Sequence, residues 1–230
     1  MANENHRMLL SSGMPYLGQA PQLALLSATG LVGQWTKAGW ATDRTASRGQ
    51  VQVATPNRRW ASDITGIRAW DGQKGRLAVM IDCADRMVPA WRFARRITAE
   101  DPAEMLREAV FGRFAQARSR AQGIEFLSDN GPEYTSDRFR PVVRAMGLIP
   151  CHTPRRSPQS NGLAEAFFGS FKRDYVYQAC LVTLAVVRRQ VPKWIEHYNQ
   201  QAPHSALGMR SPAEFYTEWI VKNTKQPVQN

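Results

Sequence analysis

From Arg59 onward the chain runs in short, well-bounded stretches of apolar and polar positions, whereas the residues before it show no sustained period. Trp60 to Thr65 (WASDIT) suits a strand, and Arg76 to Asp82 (RLAVMID) is a short apolar run bounded by turn residues. Met87 to Phe93 (MVPAWRF) follows the bend at CADR, so three strands joined by short turns predict an antiparallel meander. TAEDPAEMLREAVFGRFAQA then opens on Thr98 as a cap, carries acids in its first turn and continues in helix formers, which predicts a long helix. A strand over Ile124 to Ser128, a helix over Ser136 to Met146 and a short strand in GLIPCHTP come next. Strands first and then alternating helix and strand predict an α/β fold with a mixed sheet. Residues 1–55, rich in Gly, Ser, Thr, Ala and Gln, read as a leader, 56–178 as the folded core and 179–230 as a helical C-terminal extension.

Periodicity changes again in SPQSNGLAEAFFGSFKRD, which Asn161 or Ser160 would cap as a helix. At about 100° per residue, Lys172 falls within about 20° of Glu165, while Leu163, Phe167 and Phe171 fall roughly 160° to 240° away. That helix has an apolar back for a sheet and an outer face carrying Glu165 and Lys172, about 10 Å apart along the axis. Further along, Trp194, Tyr198, Phe215 and Trp219 read as the packing residues of the C-terminal helices.

Charge narrows the partner. Thirty Lys and Arg against nineteen Asp and Glu leave a net +11 in 230 residues. A balance this basic favours an anionic partner, nucleic acid before membrane. Leu23 to Val32, the only early apolar stretch, is broken by Ser27, Thr29 and Gly30 and is too short for a bilayer. Its flank carries Arg7 beside Glu4, unlike a secretory signal. Cys83, Cys151 and Cys180 have no paired spacing, which argues against a disulfide framework or zinc knuckle and fits a reducing cytoplasm. His197 and His204, with no Cys pair beside them, suggest no zinc site.

Three carboxylates stand out: Asp63 within a strand, Asp129 just past the strand FLS, and Glu165 on a helix face. A charged group at the mouth of a buried strand is costly unless an opposite charge meets it. Hard divalent cations take carboxylate oxygens, and two ions sharing a carboxylate suit phosphoryl transfer. Each acid has a plain alternative: Asp129 before Asn-Gly forms turns well, Asp63 could be a strand-edge acid, and Glu165 an ordinary helix residue. Asp82 and Asp85 compete for the first position, but a local pair with Arg86 at the DCADR bend explains them better. Arg155 and Arg156 before the Glu165 helix, with Lys172 and Arg173 after its first turns, could contact phosphates. His152 reads as structural.

RWASDIT, LSDNGPEY and SPQSNGLAEAFFGSFKRDY resemble the three acidic motifs of the DDE integrase core of retroviral integrases and insertion-sequence transposases. Thirty-five residues separate Asp129 from Glu165, the spacing typical of that superfamily. HYNQQAPHSALGMRSPAEFY is similar to the C-terminal signature of the insertion-sequence three family, although Ala202 stands where a basic residue is common. The likeness covers about residues 57–217, and the first 45 residues lack the basic, helix-turn-helix-like region that usually precedes this core.

The resemblance implies a ribonuclease H-like fold, a mixed five-stranded sheet flanked by helices with a helical C-terminal extension. It implies two Mg²⁺ or Mn²⁺ ions on Asp63, Asp129 and Glu165, with Lys172 as a DNA contact. Strand cleavage and joining on element ends and target DNA follow, by a homo-multimer assembled on DNA together with an upstream-frame DNA-binding partner, with a cytoplasmic, nucleoid-associated location and no membrane. Two alternatives remain open: a ribonuclease H-like nuclease that only hydrolyses, and a non-catalytic DNA-binding remnant.

Overall fold

The computed structural model describes residues 53–114, 121–152 and 162–224. Strand β1 (Arg59–Arg68) leads through a tight turn to β2 (Lys74–Asp82), and β3 (Ala90–Ala94) completes the meander. Helix α1 (Glu100–Phe114) precedes β4 (Glu125–Ser128), two short helices α2 (Pro132–Thr135) and α3 (Phe139–Ala145), and β5 (Ile149–His152). Helix α4 (Gly162–Phe171) runs into one π-helical turn (Lys172–Val176), and α5 (Leu184–Gln200) and α6 (Pro212–Thr224) follow. The five strands form one sheet in the order β3-β2-β1-β4-β5. The first three pair antiparallel, while β4 lies parallel to β1 and β5 parallel to β4. This mixed sheet between helices, with helices appended at the C-terminal end, is a ribonuclease H-like arrangement.

Alternation along β1 and β2 supplies both faces of the sheet with apolar side chains. Trp60, Met80 and Phe126 meet Met105 and Leu106 of α1 and Phe139 of α3 on one face. On the other, Ala61, Val79 and Ile81 meet Phe167 and Phe171 of α4, and Val187, Val191 and Ile195 of α5. The three α5 residues recur every four positions and so share one side of the helix. Thr183 starts that helix by accepting a hydrogen bond from the Val186 N–H at 3.3 Å. The apolar back expected of α4 is present, and Ala164 and Phe168 widen it.

Two local expectations change. The third strand begins at Ala90 rather than Met87 because the preceding residues spend their backbone groups elsewhere. Arg86 takes a left-handed φ of 64°, the Met87 N–H donates to the Asp85 carboxylate at 2.9 Å, and Val88 exchanges two bonds with the Asn199 side chain of α5. The second change concerns the DCADR acids. Asp82 accepts from the backbone N–H groups of Asn57 and Ala84 and from the Trp60 indole N–H, acting as the organiser of a turn. Asp85 pairs with Arg113 of α1, not with Arg86, through two hydrogen bonds of 2.7 and 3.0 Å. Both side chains are buried, at 0% and 3% exposure. Arg113 also lies over the Tyr216 ring, 4.1 Å from its centroid, so one guanidinium joins the bend after β2, α1 and α6.

A buried ion pair is costly to break from one side, because the partner is left charged and desolvated. Arg113→Leu is therefore expected to lower unfolding free energy by about 3–5 kcal/mol in urea titration. The exposed pair of Arg107 with Glu100 provides a contrast, and Arg107→Leu should change stability by less than about 1 kcal/mol.

Candidate active site

Strand pairing brings the first two acids together. In the parallel β1–β4 ladder Ser62 stands opposite Ser128, the last residue of β4. One residue further on are Asp63 in β1 and Asp129 just past β4, immediately beyond the last pair of that ladder. Asp63 shares the face of Ala61, the side on which α4 packs, because side chains alternate along β1. Glu165 lies in the first turns of α4 and is exposed, and Lys172 begins the π turn two helical turns later and is half-buried.

The electrostatics bind these four groups into one site. Partial burial pushes the Asp63 carboxyl above its ordinary range, against the lowering effect of a 2.7 Å hydrogen bond from the Ile64 N–H. The Asp129 and Glu165 carboxylates push it further up, and the Lys172 ammonium opposes them. Like charges brought this close disfavour one another's ionised forms, and a cation among them reverses that cost.

The donor set fits a hard divalent ion. Asp63 Oδ1 is taken by the Ile64 N–H and Asp129 Oδ1 by the Gly131 N–H at 2.9 Å, which fixes both carboxylates. Gly131 serves by close approach rather than by unusual torsion, since its φ is −60°. A Cβ there would stand 2.9 Å from Asp129 Oδ1 and 3.0 Å from Glu133 Oε2. The described residues gather no group of three ligand side chains tightly enough to enclose an ion.

Beneath the site, the fully buried Ser62 and Tyr134 are hydrogen-bonded at 2.8 Å. Burial pushes the Tyr134 phenol well above its ordinary value, so it stays protonated. Gly131 had a signal in the sequence, the Asp-Asn-Gly turn, but Ser62 and Tyr134 had none. Arg173 is exposed and holds the neighbouring Asp174 with bonds of 2.6 and 2.9 Å. Arg155, Arg156, Ser160 and Asn161 lie outside the described residues, as does the side chain of His152.

Comparison with known proteins places the chain among relatives. Two family models, each described as an integrase core domain, match residues 53–158 and 147–212. The chain is 43% identical over 169 residues to the uncharacterized protein of insertion element IS136 of Agrobacterium tumefaciens (strain T37), covering 73% of this chain and 86% of that one. It is 35% identical over 171 residues to the putative transposase InsD for insertion element IS2E of Escherichia coli (strain K12), covering 74% and 78%. In three dimensions it is similar to the HTLV-2 integrase catalytic core domain in complex with magnesium, with a TM-score of 0.53, 17% identity and coverage of 72% and 99%. No helix among the described residues is long and apolar enough to cross a membrane.

Gly131→Ala is expected to dislodge the Asp129 carboxylate and raise the Mn²⁺ concentration needed for half-maximal thermal stabilisation by about tenfold, or ~1.4 kcal/mol. Gly66→Ala, where an added Cβ meets nothing within 4 Å, should leave that midpoint unchanged.

Proposed function

The chain belongs to the integrase core domain family and is a DDE-type polynucleotidyl transferase of metal-dependent DNA strand transfer, and on that premise we propose that Asp63, Asp129 and Glu165 are its metal-holding acids. The supporting observation is the β1–β4 register, which sets Asp63 beside Asp129, with Glu165 and Lys172 within electrostatic reach. Two Mg²⁺ or Mn²⁺ ions, when bound, supply activation of an attacking oxygen and neutralisation of a leaving one. Asp63 would hold its oxygens from within β1 and Asp129 from just past the end of β4, with Glu165 approaching from α4. Lys172, at the start of the π turn that continues α4, would take a DNA phosphate.

Two displacements at phosphorus make up the reaction. Water first replaces the bridging oxygen at an element end and leaves a 3′-hydroxyl. That hydroxyl then replaces an oxygen in target DNA. Each step forms one P–O bond and breaks one, so a single geometry serves both.

Arg155, Arg156 and Arg173 are proposed as further phosphate contacts, with Arg173 exchanging Asp174 for DNA. The same proposal divides the chain into a leader over 1–55, a catalytic core over 56–178 and a helical extension over 179–230 whose α5 closes one face of the core. It includes a homo-multimer on paired DNA ends, an upstream-frame DNA-binding partner and a nucleoid-associated location.

Purified protein with a labelled oligonucleotide carrying the element's end, in Mg²⁺ or Mn²⁺, is expected to yield joined strands. Glu165→Gln should reduce them at least about a hundredfold. Nicked product without joining would favour a hydrolytic nuclease. Metal-independent, salt-sensitive binding with neither product, unchanged by Glu165→Gln, would favour a non-catalytic DNA-binding remnant.

A further inference from the structure

We infer that Tyr134 is a positioning residue for the two aspartates, acting through its hydrogen bond to Ser62. This rests on the reading that Asp63 and Asp129 hold a divalent ion. The Ser62 hydroxyl lies 2.8 Å from the Val79 carbonyl oxygen and 2.8 Å from the Tyr134 hydroxyl. A serine hydroxyl has one proton, and a carbonyl can only accept it. The remaining bond must therefore run from the phenol O–H to the serine oxygen. The result is a directed chain from Tyr134 through Ser62 to Val79.

Both ends of this chain meet the site. Val79 is the residue paired with Asp63 in the β1–β2 ladder, and Ser62 is the immediate neighbour of Asp63. Tyr134 belongs to α2, whose N-cap is Gly131, and the Gly131 N–H holds the Asp129 carboxylate. The β1–β4 ladder ends at the pair Ser62 and Ser128, so Asp129 lies one residue beyond the last sheet pairing. The phenol link takes over where the ladder stops, fastening the segment that carries Asp129 to the strand that carries Asp63.

Packing alone does not account for the hydroxyl. The Tyr134 ring is held by Phe126 and Phe139, with centroids 6.2 and 5.7 Å away, contacts that a phenylalanine would also make. Burying a hydroxyl at 1% residue exposure is unfavourable unless it is bonded. Its benefit here is directional: it ties the site's two supporting segments together.

Tyr134→Phe removes the link and keeps the ring. On the full chain, calorimetric titration with Mn²⁺ is expected to show about tenfold weaker binding, the low end for residues that support metal ligands. The metal-free melting temperature should fall by no more than about 4 °C. Ser62→Ala should weaken Mn²⁺ binding similarly, and the double variant should be no weaker than either single, because all three break the same link. Phe139→Leu, which loosens the same core without touching the chain, should lower the melting temperature but leave Mn²⁺ affinity within about twofold. Unchanged affinity in Tyr134→Phe would overturn the inference. So would additive losses in the double variant, or an equal loss of affinity in Phe139→Leu. If the unsubstituted protein binds Mn²⁺ no better than an Asp63→Asn, Asp129→Asn variant, the metal-site reading itself fails and this inference with it.

Discussion

The parallel pairing of β1 with β4 is the constraint on which the site depends. Because side chains alternate with a period of two, a slip of one residue would carry Asp63 to the opposite face, away from α4. Several contacts hold the register. Arg59 and Glu125, which face each other in the ladder, form an ion pair. Trp60 and Phe126, the next pair, are both buried on the α1 face. Ser62 and Ser128 close the ladder and are both fully buried. Beyond that point β1 stays paired with β2 alone, and Asp129 follows the end of β4.

Bringing the Asp129 and Glu165 carboxylates within electrostatic reach of Asp63 is unfavourable for the folded protein, and the surroundings offset it in two ways. Rigid support comes from both sheet faces, where α1 and α3 pack on one side and α4 and α5 on the other. Positive charge comes from Lys172 locally and from the chain's net +11 overall. That excess leaves the site balanced for an anionic polymer and a cation together, rather than for either alone. The π turn that begins at Lys172 continues directly from α4, so the helix that carries Glu165 also carries the nearby ammonium.

Much of this was legible in the sequence, for identifiable reasons. Asp63, Asp129 and Glu165 each sit where a local pattern has a plain meaning: inside an alternating strand, before Asn-Gly, and opposite the Leu163, Phe167 and Phe171 stripe. Local patterns do not report long-range partners. The start of β3 depends on Asn199 of α5, more than a hundred residues away, and Asp85 takes Arg113 of α1 in preference to its neighbour Arg86. Helix α2 spans four residues, too few for a period to show. Tyr134 looks from the sequence like any core aromatic, because what distinguishes it is the atom its hydroxyl meets.

The most direct measurement is anomalous diffraction from crystals of the protein grown with Mn²⁺. The account predicts manganese between the Asp63 and Asp129 carboxylates, with Glu165 of α4 drawn in toward it. Manganese bound elsewhere, with Asp63 and Asp129 contacting no ion at saturating concentration, would contradict it.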